Sequence, residues 1–402
     1  MIIQRKYYLE KIKKYIDIDI IKVITGIRRS WKTYFMLQII NLLKKRNINT
    51  KNIIYIDKEN LDFDYINTYI ELNSYIKKQI SWLKWKIYLF IDEIQEIKAW
   101  EKTIRSYAKN QNFDIYITGS NSDLLSSELS TFLTWRYVDF HIYPLNFKEF
   151  LIFRKKTNKN IIIKQEFENF IKFWWLPVIH KLDLEEELIY SHIWWIFNSI
   201  LFKDLISRYN IRNSSLLLDI FKFLSSNIWS IVSTKKISDY LKKEKINIWV
   251  ETLREYLSYF SNTFLLNKVQ RYDLNWKKYL NLFEKYYLWD IWFKNYLLWF
   301  SKRDIWHTLE NIVYLELKNR WYNIYIWKIW DKEIDFVAKK NWKIEYYQVV
   351  YLLESDKTIK REFWNLEKIK DNYPKYVLSM DEFFDKNYKW IHRINIIDWL
   401  LW

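Results

Sequence analysis

Residues 23–33 read Val-Ile-Thr-Gly-Ile-Arg-Arg-Ser-Trp-Lys-Thr and decide the fold. The β-branched run from Ile20 to Thr25 predicts a buried strand, and the pattern from Thr33 to Leu43 predicts an amphipathic helix. Between them, Gly26–Thr33 has the spacing of a phosphate-binding P-loop, G-x-x-x-x-G-K-[ST], except that Trp31 stands at the second glycine. Bare backbone there lets N–H groups surround a phosphate, whereas an indole would fill the phosphate's space. Taken literally, the sequence therefore predicts a nucleotide site that does not work.

The tryptophan content offers a second interpretation of Trp31. The chain has 24 Trp and only 2 Gly in 402 residues, whereas average usage would give roughly 28 glycines. Several tryptophans stand where glycine is favoured: after Asn in the strand connections Asn275-Trp276 and Asn341-Trp342, at Trp321 after a helical run, and at Trp174-Trp175 before Leu-Pro. We hypothesise that most of them are glycines, encoded by UGA codons that the organism reads as Gly. Under this hypothesis Trp100 stays a true tryptophan. The alternative is a protein truly rich in tryptophan.

Composition and charge restrict the class of protein. The chain has no cysteine, which excludes disulfides, thiolate chemistry and cysteine-based zinc sites. It shows no apolar signal region and no charge-free apolar run long enough to span a bilayer, so we expect a cytoplasmic protein without a membrane partner. The formal net charge of +17 favours a polyanionic partner.

Residues 1–160 have the pattern of a nucleotide-binding α/β domain. Strand-like runs at 20–25, 52–56, 86–91, 114–118 and 138–143 alternate with helical stretches, which predicts a parallel sheet. The third run ends in Asp92-Glu93. Beside a P-loop strand, Asp92 would orient Mg²⁺ and Glu93 would polarise the attacking water, as in a Walker B element. An acidic pair after a strand also occurs by chance, so this motif depends on its spacing from Gly26–Thr33.

Two further polar positions are candidates for the same site. Asn121 or Ser120, after the fourth strand, can sense the γ-phosphate; a helix cap is the alternative. Arg136 follows another tryptophan at a presumed glycine position. An arginine can stabilise a transferred phosphoryl group, often from a neighbouring subunit, which would imply a homo-oligomer. An ordinary salt bridge is the alternative for Arg136.

These motifs together resemble a known family. They are similar to motifs of the prokaryotic AAA-type ATPases of the archaeal-ATPase-like branch. The segments that carry this resemblance are Ile-Thr-Gly-Ile-Arg-Arg-Ser-(Gly)-Lys-Thr, Leu-Phe-Ile-Asp-Glu-Ile-Gln, Ile-Thr-Gly-Ser-Asn-Ser, (Gly)-Arg-Tyr and the run 143–150. The resemblance covers essentially the whole chain and implies a C-terminal domain of unknown function with a restriction-endonuclease-like fold. It also implies that ATP and Mg²⁺ are bound and that ATP is hydrolysed. The residues expected to contact nucleotide or metal are Gly26, Ser30, Trp31, Lys32, Thr33 and Asp92, and those expected to act in hydrolysis are Asp92, Glu93, Asn121 and Arg136.

The middle of the chain predicts a helical segment and then a winged helix. Residues 161–213 are helical in pattern, and residues 214–290 predict three short helices followed by a hairpin. The third helix of a winged helix can enter a DNA major groove while its wing contacts the backbone. The basic residues of this segment would supply charge for phosphate binding: Lys235, Lys236, Lys242, Lys243, Lys245 and Arg254. The alternative is a module that docks a protein partner.

Residues 291–402 predict a nuclease-like domain with a degenerate site. Two strands joined at Asn341-Trp342 place Lys340 opposite Lys343, and hence Asp335 opposite Gln348. With Glu310 on the preceding helix, these two side chains resemble part of a PD-(D/E)xK nuclease site. Such a site requires a second carboxylate and a lysine two residues after it. Here those positions are Gln348 and Val350, so we expect weak metal binding and no cleavage.

The sequence thus predicts an α/β protein with four parts: a P-loop ATPase domain (1–160), a helical segment (161–213), a winged helix (214–290) and a nuclease-like domain (291–402). The predicted function is Mg²⁺-dependent ATP hydrolysis coupled to binding of DNA or a protein partner. Two alternatives stay open. If Trp31 is real, the chain is a non-hydrolysing scaffold; if the C-terminal site retains metal, the chain is a Mg²⁺-dependent nuclease.

Overall fold

A computed structural model describes residues 4–81, 83, 85–125, 136–158, 160–173, 185–228, 230–273, 278–298, 305–329, 332–353, 355–382 and 387–402. The chain divides into two compact units. The first comprises Met1–Ile142 with Asn262–Phe264, and the second comprises Tyr143–Ser261 with Leu265–Trp402. Within the described residues, no helix is both long and apolar enough to cross a bilayer.

The first unit is built on a parallel five-stranded sheet in the order β2-β3-β4-β1-β5. The strands are β1 (Ile21–Thr25), β2 (Ile53–Asp57), β3 (Ile87–Asp92), β4 (Phe113–Gly119) and β5 (Tyr137–His141). The three central strands β1, β3 and β4 are buried along their whole length, as expected for a parallel sheet covered on both faces. The five strand-like runs of the sequence are therefore confirmed, each within a residue or two at its ends. This sheet brings the residues after β1, β3 and β4 to one edge.

Helices connect these strands. They are α1 (Lys6–Lys13), α2 (Lys32–Lys45), α3 (Tyr69–Ile80) and α4 (Glu101–Tyr107), with short 3₁₀ turns at Thr50–Asn52, Leu61–Phe63, Ile94–Glu96 and Ser122–Leu125. Helix α3 begins with a capping box, in which Thr68 and Glu71 satisfy each other's backbone N–H groups. Helix α2 follows the P-loop directly, as the sequence predicts.

The second unit contains a mixed sheet of nine strands in the order β13-β14-β12-β11-β10-β9-β7-β8-β6 within the described residues. Its strands are β6 (Ile231–Val232), β7 (Leu266–Asp273), β8 (Lys278–Leu288), β9 (Asn323–Ile329), β10 (Lys332–Lys340), β11 (Lys343–Val349), β12 (Lys375–Ser379), β13 (Asn387–Tyr388) and β14 (Ile391–Asn395). Strand β7 meets β9 in parallel at Arg271 and Ile326. The hairpin β7–β8 therefore lies in the same sheet as β9–β11.

The helices of this unit are α5 (Phe147–Thr157), α6 (Ile163–Phe173), α7 (Glu186–Ser199), a π-helix (Ile200–Ser207), α8 (Ser214–Ser226), α9 (Thr234–Lys243), α10 (Val250–Asn262), α11 (Trp292–Leu298), α12 (Ile305–Asn319), α13 (Asp356–Glu367) and α14 (Ile396–Leu400). Between Ser214 and Leu288 the order is helix, short strand, two helices and hairpin, and β6 pairs with β8. This order agrees with the three helices and hairpin expected there. The Trp174-Trp175 and Asn275-Trp276 turns lie outside the described residues.

Candidate nucleotide site and a second polar pocket

The P-loop lies between β1 and α2, where the backbone makes a tight turn. Gly26 has φ +149°, and a Cβ there would come within 2.6 Å of the Ile142 carbonyl oxygen. A side chain at position 26 is therefore excluded by space as well as by backbone conformation. The Ser30 N–H donates to the Ile27 carbonyl at 3.1 Å, which closes the turn before the helix begins. The chain thus has the compact loop that a phosphate cradle requires.

Trp31 occupies the left-handed region, with φ 71° and ψ 30°, at the position preceding α2. An L-residue with a Cβ pays about 1–2 kcal/mol for this conformation, and glycine does not. The indole is half-buried, and its ring centroid is 5.1 Å from that of Tyr34. The backbone at position 31 is therefore the one that the second P-loop glycine would adopt.

Other presumed glycine positions give a mixed result. Trp321 has φ 66°, and it ends α12 in a Schellman motif: its N–H donates to the Lys318 carbonyl, and the Tyr322 N–H donates to the Leu317 carbonyl. The predicted C′ position is confirmed. In the Asn341-Trp342 turn only Asn341 is left-handed, so that turn does not require glycine at 342.

Lys32 is buried in the P-loop and faces the acidic pair after β3. Its Nζ donates to the Ile27 carbonyl at 3.2 Å and lies 3.5 Å from Oε1 of Glu93. Burial raises the pKa of Glu93, but Lys32 lowers it more together with Gln95 and Arg28, so the net pKa lies below the ordinary value. Glu93 is therefore held ionised beside the lysine that would contact the phosphates.

Asp92 links the P-loop to the neighbouring strand. Its carboxylate accepts a hydrogen bond from the Thr118 hydroxyl, and Tyr55 donates to it at 3.4 Å. Burial raises the pKa of Asp92, and the nearby hydroxyls of Thr118 and Thr33 oppose that rise. A threonine hydroxyl of the P-loop and this aspartate are the two protein ligands that hold Mg²⁺ in P-loop NTPases.

Thr118 is a functional candidate that the sequence interpretation missed. Its hydroxyl donates to Asp92 and accepts the Glu93 backbone N–H at 2.9 Å. Glu93 itself has φ 51°, a left-handed backbone conformation that is costly for a residue with a side chain. Gln95 also contacts the Glu93 carboxylate. The available signal was the position of Thr118 at the end of the strand next to β3.

Asn121 and Ser120 are buried just after β4. The Ser120 hydroxyl is 3.5 Å from the Gln95 amide nitrogen, which in turn reaches Glu93. Ser120 is thus joined to the acidic pair through Gln95. The phosphate-sensing role of Asn121 stays a prediction.

Arg136 lies at the opposite edge of the sheet from the P-loop of its own chain. Its carbonyl accepts the Ile21 N–H at 2.9 Å, at the amino end of β1, whereas Gly26 follows the carboxyl end. β1 and β5 are parallel, and five residues of strand span roughly 16 Å. Arg136 is exposed, and this separation places it away from the P-loop of its own chain.

The second unit brings Glu310, Asp335 and Gln348 together around one pocket of about 380 Å³. The predicted strand register holds from Lys340 paired with Lys343 to Phe336 paired with Tyr347, the residues next to Asp335 and Gln348. All three side chains are less than 10% exposed. No cluster of three or more His, Cys, Asp or Glu side chains suited to a metal occurs in the described part of the chain, in keeping with two carboxylates and one amide here.

A lysine is present beside this pocket, although the sequence places Val350 where a lysine is expected. Lys285, on β8, lies 2.5 Å from Oε1 of Glu310 and 2.8 Å from Oε1 of Glu333. Burial alone would lower the pKa of Lys285, but these carboxylates raise it above its ordinary value. The motif position itself holds Val350, and Lys285 is a second lysine candidate that the motif spacing does not reveal. Spacing within the β10–β11 motif could not reveal it, since β8 precedes that motif by about fifty residues.

Basic side chains on α9 and α10 face solvent. All six residues that the sequence analysis singled out are exposed, namely Lys235, Lys236, Lys242, Lys243, Lys245 and Arg254. Their charges are therefore accessible to a large anionic partner.

Comparison with known proteins agrees with this geometry. A family described as an AAA domain matches residues 19–151, and a domain of unknown function (DUF8612) matches residues 176–304. An uncharacterized protein of Haemophilus influenzae is 33% identical over 399 residues, which cover 99% of this chain and 98% of that protein. The uncharacterized protein MJ1544 of Methanocaldococcus jannaschii is 34% identical over 339 residues, which cover 81% of this chain and 71% of that protein.

Among solved structures, a Walker-type ATPase of Pyrococcus abyssi has a similar fold. The TM-score is 0.54 at 15% sequence identity, over 74% of this chain and 96% of that one. At this identity the likeness concerns the fold alone.

Proposed function

This chain belongs to the family of the Haemophilus influenzae protein and carries an AAA-type ATPase domain in its first unit, and on that premise we propose that it hydrolyses ATP with Mg²⁺. Lys32 would contact the phosphates, and Thr33 and Asp92 would hold the Mg²⁺. The ion would neutralise charge on the transferred phosphoryl group. Glu93 would orient and polarise the attacking water.

The observation that carries this proposal is the constellation around Asp92. Lys32 and Glu93 are 3.5 Å apart, Asp92 accepts a hydrogen bond from Thr118 of the next strand, and Thr33 of the P-loop is near enough to lower the pKa of Asp92. These groups come from three separate segments of the chain, and their proximity supports a role in Mg²⁺-nucleotide chemistry. A chance acidic pair after a strand would not be bonded to the P-loop.

The proposal includes glycine at position 31 in the native protein. The left-handed backbone of Trp31 supports this, since the surrounding loop holds a conformation that favours glycine. We infer that a UGA codon read as glycine underlies Trp31. Peptide mass mapping of the protein from its native host tests the inference, and an indole at position 31 would contradict it.

ATP turnover by the Trp31→Gly chain and by the literal chain tests the function. We expect Mg²⁺-dependent turnover in the Trp31→Gly chain and little or none with tryptophan. Glu93→Gln in the glycine background should retain ATP binding and lose turnover, whereas Lys32→Ala should lose both. Equal turnover before and after Glu93→Gln would contradict the proposal.

We also propose that ATP hydrolysis is coupled to binding of double-stranded DNA through a winged helix at 214–290. The exposed lysines on and just after α9, the exposed Arg254 on α10 and the net charge of +17 support a polyanionic partner. A homo-oligomer in which Arg136 completes a neighbour's site would follow from its exposure at the far sheet edge. The nuclease-like domain at 291–402 would contribute a docking surface.

The alternative function is a non-hydrolysing scaffold for DNA or protein. It is favoured by one observation, the Trp31 indole in the P-loop. Finding UGG at codon 31, together with no turnover by the native protein, would support it.

A further inference from the structure

The P-loop carries two adjacent arginines at the corner of its turn. The hydrogen bond from the Ser30 N–H to the Ile27 carbonyl closes a four-residue turn, and Arg28 and Arg29 are its two central residues. Arg29 has φ 66°, and its side chain is exposed. Arg28 has only 13% of its side chain exposed. The turn thus directs one arginine to solvent and holds the other against the protein.

Arg28 reaches from the P-loop towards the end of β2. Its Nη1 donates to Oε1 of Glu59 at 3.2 Å, two residues after β2 ends. Strands β4 and β3 lie between β1 and β2, and neighbouring strands are about 4.8 Å apart. The side chain therefore spans the edge of the sheet at which Asp92 and Glu93 lie. Burial raises the pKa of Glu93, and the charge of Arg28 is among the groups that lower it.

Glu59 is held at this edge by the end of β2. Its backbone N–H donates to Oδ1 of Asp57 at 3.0 Å, and Asp57 pairs with Asp92 in the register of β2 with β3. The Glu59 side chain is 60% exposed, and exposed ion pairs contribute little free energy because water competes for both charges. Glu59 can therefore keep Arg28 beside the acidic pair and release it to a stronger anion.

We propose that Arg28 is a catalytic residue of the ATPase and binds the γ-phosphate of the nucleotide held by its own chain. In phosphoryl transfer the charge of the transferred group spreads over its equatorial oxygens, and an arginine stabilises that charge. A guanidinium carries five N–H donors in a planar fork, so it can contact two phosphate oxygens at once. Arg136 lies away from its own P-loop, whereas Arg28 is an arginine that a single chain brings to its own nucleotide. The inference rests on the proposed ATP hydrolysis.

ATP turnover and nucleotide binding in the Trp31→Gly background test this role. The matched control is Arg29→Ala, which removes the same charge from the same turn. We expect Arg28→Ala to lower kcat about a hundredfold or more, and Arg29→Ala to change it less than about twofold. Arg28→Lys retains the charge without the planar fork and should lower kcat about tenfold. A fluorescent, non-hydrolysable ATP analogue should bind Arg28→Ala about tenfold more weakly, while fluorescent ADP, which has no γ-phosphate, should bind unchanged.

Two results would overturn the assignment while ATP hydrolysis stands. The first is equal kcat, and an equal preference for the ATP analogue over ADP, in Arg28→Ala and Arg29→Ala, with turnover still abolished by Glu93→Gln. The second is restored turnover when Arg28→Ala chains are mixed with Lys32→Ala chains, because the arginine would then act on a neighbouring chain. We expect no restoration.

If the Trp31→Gly chain binds nucleotide and shows no turnover, the proposed hydrolysis fails, and the preference for the ATP analogue over ADP decides whether Arg28 contacts the γ-phosphate. A chain that binds neither nucleotide overturns both proposals. Circular dichroism of each variant checks the fold. If Arg28→Ala does not fold, Arg28→Lys, which can still pair with Glu59, takes its place in the same comparisons, and a kcat equal to that of Arg29→Ala would overturn the assignment.

Discussion

At the scale of single residues, the nucleotide site depends on side chains that hold other side chains. Thr118 bonds both members of the acidic pair, and Gln95 contacts Glu93. Glu93 is in a left-handed conformation that neighbouring bonds must maintain. In the proposed reaction, Glu93 would therefore depend on Thr118 as a positioning residue.

Thr118→Val in the Trp31→Gly background should lower kcat for ATP about tenfold or more with little change in nucleotide binding. Valine retains the shape and the strand preference of threonine, and removes only the hydroxyl. Steady-state turnover and nucleotide titration measure the two quantities. Thr103→Val is a matched control, because that buried hydroxyl bonds the Tyr69 carbonyl away from the site. Equal kcat in the two variants would contradict the role of Thr118.

Asp290 is fully buried and supports a prediction of pH dependence. Burial raises the pKa of Asp290 well above its ordinary value, and only the Trp292 N–H opposes this. In the unfolded chain the Asp290 carboxyl ionises near pH 4, whereas in the folded chain it keeps its proton. The free energy of unfolding therefore falls as the pH rises above about 4. Asp290→Asn retains the acceptor oxygen without that penalty. We expect it to raise Tm at about pH 8 and to change Tm little at about pH 4, as measured by calorimetry. A gain that is larger at the lower pH would contradict this.

At the scale of elements, α9 and α10 carry the charge proposed to meet DNA. Helix α9 begins with Ser233 capping the Lys236 N–H at 3.2 Å. Its apolar residues Ile237 and Leu241 are buried, while its lysines face solvent. Because one face packs and the other is charged, substitutions on the charged face should change binding without unfolding the helix.

Reversing three of these charges, with Lys235→Glu, Lys236→Glu and Arg254→Glu together, should weaken binding of duplex DNA. The slope of log affinity against log salt should become shallower by about 0.9 for each DNA phosphate that the variant no longer neutralises. The control is a second triple variant in the first unit, which changes the net charge by the same amount: Lys77→Glu, Lys78→Glu and Lys109→Glu. Fluorescence anisotropy over a salt series measures the slope. Equal weakening in both triple variants would indicate a net-charge effect without a local interface.

At the scale of the whole molecule, the chain forms two compact units, and the proposed nucleotide site belongs entirely to the first. A ligand that binds only the folded form stabilises the unit that binds it, by about 2.7 kcal/mol at one hundred times Kd. MgATP should therefore report on the first unit.

Calorimetry of the Trp31→Gly chain with Glu93→Gln should show two unfolding transitions. Adding MgATP should raise one transition, and Lys32→Ala should abolish that rise. If MgATP raises both transitions equally, the units are not thermodynamically separate.

The strand and P-loop pattern determined the first unit by itself, because local hydrophobic periodicity and turn chemistry encode a parallel α/β sheet. The sequence also determined the register of β10 with β11, because the length of the turn fixes which residues of the two strands face each other. Only the tertiary structure decided that Arg136 lies away from its own P-loop, because parallel pairing separates the two ends of β1 and β5. It alone decided that Thr118 holds the acidic pair and that Lys285 reaches Glu310. Such contacts join residues tens of positions apart, and no local spacing in a single sequence specifies which distant strands become neighbours.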